Sequence, residues 1–307
     1  MTVLFGFESP ARYRGGIVSI GNFDGVHRGH QAMLGSLVRQ ARAAGVPAVV
    51  LTFDPHPIEL LRPEAAPPRL TTMTYRAELL EKFGVDTVII LPTTKRFLTL
   101  TAEDFFHTII RTELQAKGLV EGSNFFFGRN REGNISVLRQ LCSSHHLLLD
   151  VVAPEIVDDK LVSSSVIRGL IEQGEVADAG RLLGHHYRLE GQVVTGAQRG
   201  RTLGFPTANL AEIATLAPAN GVYAATTNLD GQRWAAAVNI GPNPTFGESS
   251  RKIEVHLLDF SGDLYGRRIE VDFVKRIRDV RKFSSANELL AQLQDDVRAV
   301  RSSCSEL

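Results

Sequence analysis

The sequence predicts a two-part chain: a doubly wound α/β unit with a parallel sheet, then a small antiparallel β-barrel closed by a C-terminal helix. Three observations carry this expectation. The first part alternates near-continuous apolar strands with stretches of helical period. The second part is a series of short β-rich runs separated by glycine, proline and asparagine. A length of 307 residues also exceeds that of an ordinary single domain. The texture changes after "RLLGHHYRLEG", so the expected domains are 1–183 and 184–307.

In the first part, strands are expected at Ile17–Ile20, Ala48–Phe53, Thr87–Leu91, Gly118–Val120 and Leu147–Val152, each a short apolar run bounded by turn residues. Helices are expected near His30–Ala44, Tyr75–Phe83 and Ala102–Ala116. In the first of these, Met33, Leu34, Leu37, Val38 and Ala41 repeat at helical spacing until Gly45 stops the pattern. Thr101 and Asp104 form a capping box for the third. In the second part the strand candidates are Tyr187–Val194, Gly221–Thr227, Trp234–Ile240, Lys252–Asp259 and Arg268–Val274. Helical period returns at Ala286–Arg301. No internal repeat or low-complexity tract is present.

Composition narrows the function classes. The 34 basic and 34 acidic residues cancel, so the chain carries no overall footprint for a polyanion, and no nucleic-acid partner is expected. Any anionic ligand must be met locally. No apolar run approaches membrane-spanning length, and "MTVLFGFESPARYRG" lacks a signal-peptide core, so no membrane association is expected. Cys142 and Cys304 fit neither a disulfide framework nor a zinc pattern. A cytoplasmic location is expected.

The stretch "SIGNFDGVHRGH", Ser19 to His30, lies between the first strand and the first helix. A helix N-terminus offers unpaired N–H groups and a partial positive charge, which suit an anion. Gly25 and Gly29 let the backbone approach it, and His27 and His30 add two imidazoles. The pair reads either as phosphate chemistry or as a cap and packing of the turn. A metal is a weaker reading, because no third ligand is near and helical metal-binding histidines are usually four apart.

Three further stretches carry candidate groups. "TFDPHP" places His56 at the carboxyl end of the second strand. "VEGSNFFFGRNREGN" supplies Asn124, Arg129 and Arg131, with Phe125 to Phe127 read as core. "VSSSVIRGL" puts hydroxyls at a helix start and Arg168 one turn along. Serine hydroxyls and an arginine fork hold phosphates, and serines also cap helices.

These segments resemble the adenylyltransferase half of the bacterial bifunctional riboflavin kinase/FMN adenylyltransferases, the FAD synthetases. His27 and His30 match the H-x-G-H pattern of nucleotidyltransferases, and "SSSVIR" corresponds to the family's second phosphate-binding motif. The resemblance implies a Rossmann-like nucleotidyltransferase domain that joins AMP from ATP to FMN and releases pyrophosphate. It implies His27 and His30 as catalytic residues. It places Gly21, Asn22, Phe23, Asp24, Gly29, Asn124, Ser164, Ser165 and Arg168 in the ATP and phosphate site. Ser165 stands where threonine is common, keeping the hydroxyl. Asn134 stands where aspartate is common, removing a charge. Independently of the family, nucleotidyl transfer needs mainly alignment and stabilisation of charge on phosphate oxygens, and an ionised phosphate nucleophile needs no general base. The histidines are therefore expected to be stabilisers.

In the second part, "GAQRGRTLGFPTANL" is rich in glycine and basic residues but is not a P-loop. It reads as a backbone cradle for phosphates, with Thr207 and Asn209 as oxygen ligands toward Mg²⁺, or as a glycine-rich hairpin with a basic tip. In "NIGPNPTFGESSRKIEVHLLDF", Glu254 and His256 share one strand face, with Val255 and Leu257 on the other. From the residues alone, Glu254 reads as a solvated strand residue. Both stretches resemble the riboflavin kinase half of the same family, and "YGRRIEVDFVKRIRDVRKF" resembles its closing strand and flavin-side loop. The resemblance implies Glu254 as catalytic base and Gly196, Arg201, Gly204, Pro206, Thr207 and Asn209 as the ATP and phosphate site. It implies Mg²⁺ at Thr207 and Asn209, and ATP, riboflavin, FMN and FAD as substrates or products. It spans nearly the whole chain in the family's order. Class I aminoacyl-tRNA synthetases also carry H-x-G-H, but their lysine-rich second signature is missing here. Two other readings are a catalytically inactive flavin- or nucleotide-binding regulator and an adenylyltransferase for another substrate.

Overall fold

The structure, a computed structural model, describes residues 1–196, 204–243 and 248–305. The chain forms two compact units, Met1–Pro67 with Met73–Val162, and Pro68–Thr72 with Ser163–Leu307.

The first unit contains a six-stranded sheet of β1 (Thr2–Phe5), β2 (Ile17–Ile20), β3 (Ala48–Asp54), β4 (Thr87–Pro92), β5 (Gly118–Gly122) and β6 (Leu148–Val152) in the order β1-β4-β3-β2-β5-β6. Every pairing in it is parallel. Its helices are α1 (Arg28–Ala44), α2 (Pro57–Leu61), α3 (Met73–Lys82), α4 (Lys95–Leu98), α5 (Ala102–Phe105) and α6 (Ile135–Ser144). A parallel sheet needs both faces covered, and the strands are apolar on both. Val18, Ile20 and Leu119 pack with Phe106, Leu138 and Cys142 on one face. Ile17, Val50 and Val120 pack with Leu34, Leu37, Leu79 and Leu80 on the other. The strand order reverses between β2 and β5, and ligands of doubly wound sheets bind at such a switch point, beyond the carboxyl ends of the strands.

The second unit holds α7 (Ser164–Gln173), α8 (Val176–Leu183) and a closed antiparallel barrel. A short hairpin, β7 (Ile156–Val157) with β8 (Lys160–Leu161), ends the first unit. The barrel strands are β9 (Tyr187–Val194), β10 (Ala208–Ala211), β11 (Gly221–Leu229), β12 (Gln232–Asn243), β13 (Glu248–Leu257) and β14 (Arg268–Arg278), closed in the order β10-β13-β12-β11-β14-β9. Period-two alternation builds it: Tyr187, Leu189, Val193, Val238, Ile240, Val255 and Phe273 are buried inside. The C-terminal helix Ala286–Cys304 packs on β11, β12 and β14. Arg278 fastens it, donating from Nε and Nη2 to the two oxygens of buried Asp296 at 2.8 and 2.7 Å.

Several elements differ from the sequence reading. β1 was not expected, because its alternation of half-buried and exposed residues lacks the buried run of an inner strand. The expected helix Ala102–Ala116 is α-helical only to Phe105, then winds wider as π-helical turns over Phe106–Glu113. Leu114 N–H there reaches back five residues to Ile109 O at 2.9 Å, and Phe105, Phe106, Ile109 and Ile110 are all buried. β10 was missed because four residues inside "PTANLA" are too short to show a period.

Candidate active sites

The histidine stretch leaves β2 at the carboxyl edge of the sheet and enters α1. Its backbone is tightly wound: Phe23, Gly25 and Val26 have φ of 49°, 85° and 39°. Left-handed backbone is costly for a bulky and especially a β-branched residue, and it persists only where surroundings enforce it. They do so through Arg76 of α3, which donates from Nη1 to Asn22 O at 2.8 Å and from Nη2 to Asp24 Oδ1 at 2.9 Å. The Arg76 and Asp24 side chains are 5% and 6% exposed. Thr52 at the end of β3 donates its hydroxyl to the same Asn22 carbonyl at 3.2 Å. Removing one partner of a buried ion pair typically costs about 3–5 kcal/mol. Arg76→Met should therefore lower the unfolding free energy of the first unit by about that amount in urea. A loss under about 1 kcal/mol would place the loop's restraint elsewhere.

His27 is the N-cap of α1, its Nδ1 accepting the His30 N–H at 3.3 Å. Its ring stacks on that of His30 with centroids 3.7 Å apart and planes 14° from parallel. Phe23 also packs on His30, with ring centroids 5.1 Å apart and planes tilted by 50°. A Cβ on Gly29 would stand 3.3 Å from the His27 ring, so glycine leaves room for the stack. Enclosure holds the His30 imidazole well below its ordinary range, helped by neighbouring His27 and then Arg76. His30 is thus a neutral imidazole near neutral pH. Its Nδ1 and the Asn22 Oδ1 are buried without a hydrogen-bond partner among the described residues, as polar atoms awaiting a ligand would be. The capping reading therefore holds for His27.

Asn124 is exposed just past β5, with its Oδ1 3.2 Å from where a Cβ on Gly122 would stand. Phe127 is buried in the core, whereas Phe126 is exposed with the Arg131 guanidinium 4.2 Å above its ring. Arg129 pairs with Glu132 at 3.5 Å. Asn134 caps α6, accepting the N–H groups of Ser136 and Val137 at 2.9 and 3.1 Å, a role that needs no charge. His56 caps α2 through Nδ1 and Ile58 N–H at 3.1 Å. Ser164, Ser165 and Arg168 lie on α7 in the second unit. Ser163 is that helix's cap, accepting Val166 N–H at 3.3 Å, and Arg168 Nε donates to Pro68 O at 2.7 Å.

In the barrel, strand register builds a second cluster. Asn209 of β10 and Asn239 of β12 both stand directly opposite Glu254 of β13. Side chains directly opposite across antiparallel strands share a face, with Cβ atoms about 4.5–5.5 Å apart. The three polar residues therefore form one lateral row, half-buried on the outer surface, while Ile253 and Val255 point into the barrel. His256 lies on the same face and bonds Pro206 O through Nδ1 at 2.7 Å, which requires that nitrogen to donate. It thereby anchors the turn that presents Thr207. Phe205 packs on the His256 ring at 5.5 Å. A Cβ on Gly196 would collide with the Asn209 side chain, so glycine lets the end of β9 pass it. Gly204 is exposed and left-handed at φ 80°. Arg201 lies outside the described residues.

Residues 9–166 match the family model described as FAD synthetase, and residues 183–304 match that described as riboflavin kinase. A bifunctional riboflavin kinase/FMN adenylyltransferase from Escherichia coli (strain K12) is 37% identical over 294 residues, covering 95% of this chain and 94% of the relative. The chain belongs to the bifunctional riboflavin kinase/FMN adenylyltransferase family. A member from Pseudomonas fluorescens is 38% identical, covering 94% of this chain and 93% of its own. A crystal structure described as a macrolide-efflux protein from Streptococcus pneumoniae is 32% identical, with a TM-score of 0.87 and coverage of 98% and 99%. As a bifunctional riboflavin kinase/FMN adenylyltransferase, the protein phosphorylates riboflavin to FMN and adenylylates FMN to FAD, using ATP for both. No helix among the described residues is long and apolar enough to cross a membrane.

Arg76 and Asn239 were missed by the sequence reading. Arg76 is one cation among many on a helix, and its burial depends on the loop it meets. Asn239 has a legible signal only once β12 and β13 are set in register.

Proposed function

We propose that the histidine loop of the first unit carries adenylyl transfer and that the Asn209–Glu254–Asn239 row of the barrel carries riboflavin phosphorylation. The observation that best supports the first assignment is the position of His27 and His30. They sit at the carboxyl end of β2, beside the switch point of the sheet, with His30 Nδ1 buried and unbonded.

In adenylyl transfer an FMN phosphate oxygen bonds to the α-phosphorus of ATP while the bond to pyrophosphate breaks. His27 and His30 stabilise charge on the phosphate oxygens. Backbone at Gly21, Asn22 and Gly29 and the side chain of Asn124 approach the nucleotide, and Phe23 and Asp24 hold the loop in shape. Ser164, Ser165 and Arg168 are assigned to phosphate binding from the helix start and the family motif. In the kinase reaction the ribityl hydroxyl attacks the γ-phosphorus of ATP and passes its proton to Glu254. Gly196, Arg201, Gly204 and Pro206 form the phosphate cradle. Adenylyl transfer is assigned to a domain of residues 1–183 and riboflavin phosphorylation to one of residues 184–307. A cytoplasmic location without nucleic-acid or membrane partners completes the reading.

Thr207 and Asn209 fit Mg²⁺ as half-buried neutral oxygen donors, with Asn209 directly opposite the carboxylate-bearing Glu254. Mg²⁺ is commonly held by few protein groups, with nucleotide phosphates and waters completing its shell. When bound it would neutralise charge on those phosphates. After treatment with EDTA, FMN formation should stop and return on titration with Mg²⁺. Thr207→Ala should raise the Mg²⁺ needed for half-maximal rate by about 10-fold or more, the scale on which metal-site changes act. An unchanged Mg²⁺ dependence would remove Thr207 from the metal site.

A further inference from the structure

At the carboxyl edge of the sheet, β2 and β5 separate. Their paired register covers Ile17↔Gly118 and Val18↔Leu119, whereas β2 stays paired with β3 as far as Ile20↔Leu51. Beyond the last β2–β5 pair, a side chain takes over from the backbone: Ile20 N–H donates to Glu121 Oε1 at 2.8 Å. On the opposite side Gly21 N–H donates to Leu51 O at 3.0 Å. The first residues of the histidine loop are thus gripped from both neighbouring strands.

Glu121 has 0% exposure, and its Oε2 is buried with no hydrogen-bond partner among the described residues. By strand alternation it shares a face with Leu119, on the apolar side of the sheet formed by Val18, Ile20, Leu138 and Cys142. Burying a carboxyl there is costly, and leucine or valine would fill the space without that cost. Packing alone does not account for glutamate. What the residue supplies is an acceptor for a backbone N–H that the diverging strands leave without one.

We infer that Glu121 is a positioning residue for adenylyl transfer, bridging the gap between β2 and β5 so that the loop bearing His27 and His30 is fixed against the strand end bearing Asn124. This rests on the assignment of the histidine loop to that reaction. Asn124 follows Glu121 by three residues, so a single carboxyl ties together the two segments that flank the switch point. Burial pushes the carboxyl well above the usual carboxylate range, which favours the neutral acid. A neutral acceptor secures the loop without placing a negative charge behind a site for phosphates.

The test compares Glu121→Gln, Glu121→Leu and His30→Ala in the full-length protein, measuring kcat and KM for FMN-to-FAD conversion and confirming folding by circular dichroism. Glu121→Leu removes the acceptor and should lower kcat about 10- to 100-fold, the usual consequence of small misplacements in a site. KM for ATP should change by less than about threefold, since the contacts to nucleotide remain. Glu121→Gln keeps an oxygen for Ile20 N–H and should restore kcat to within about threefold of the parent. If Glu121→Leu does not fold, Glu121→Val is scored by the same criteria. Normal kcat in the folded apolar variant overturns the inference, as does a Gln variant as slow as the Leu variant. When His30→Ala is impaired and Glu121→Leu is normal, only the inference fails. If His30→Ala is also normal, the assignment of the loop fails and the inference falls with it.

Discussion

His30→Ala lowers FMN-to-FAD conversion by ~10²-fold or more, the usual effect of losing one preorganised group aimed at transition-state charge. Riboflavin phosphorylation by the same protein stays at the parental rate. Stacking on His27 at 3.7 Å and packing on Phe23 at 5.1 Å fix its plane, so little reorganisation accompanies the reaction. Alanine removes the ring and leaves the helix cap, because His27 accepts the backbone N–H of residue 30 and not its side chain. The loop's other restraint, Arg76 on Asn22 O and Asp24, is also untouched. The expected loss is therefore in kcat. Equal loss of both activities in a folded variant would show that His30 serves the structure and not the transfer.

Glu254→Gln cuts riboflavin phosphorylation by ~10²–10⁴-fold, the range associated with general-base help, and spares FAD formation from supplied FMN. A hydroxyl is a poor nucleophile until its proton has an acceptor. Glu254 is mounted on a strand paired on both sides, at Asn209 and Asn239, so its backbone has little freedom. Glutamine preserves size and hydrogen bonding but cannot take the proton. ATP affinity should change little, which separates this outcome from a collapse of the phosphate cradle. The competing view is that the transition state is loose and the proton departs late, so that a base contributes little. Near-normal turnover of Glu254→Gln would decide for that view, and Glu254 would then serve to orient the hydroxyl.

The parts of this molecule legible in its sequence are those encoded over short distances. β2 runs over Ile17–Ile20 as its apolar run predicts, and α1 ends at Gly45, which adopts the left-handed cap at φ 63°. Thr101 accepts Asp104 N–H at 3.0 Å, as a capping residue should. The shared face of Glu254 and His256 follows from period two, and both are half-buried while Val255 and Leu257 are buried. What was hidden depends on which segments meet. Nothing in "TYRAELLEKF" marks Arg76 as the group that holds a loop fifty residues upstream in place; only the fold brings it there. Glu121 reads as a charged residue ending a strand, and its burial against Ile20 becomes visible only when β5 is laid beside β2. Asn239 waits on register in the same way.

The central claim is that the two half-reactions are carried by two separate clusters, one in the sheet unit and one in the barrel. Its most direct measurement supplies riboflavin, ATP and Mg²⁺ to four samples and resolves the flavins by chromatography: the parent protein, His30→Ala, Glu254→Gln, and an equimolar mixture of the two variants. Expected are FAD from the parent, FMN accumulating with His30→Ala, unreacted riboflavin with Glu254→Gln, and FAD again from the mixture as FMN made by one variant is adenylylated by the other. Unreacted riboflavin from both variants, and from their mixture, would contradict it.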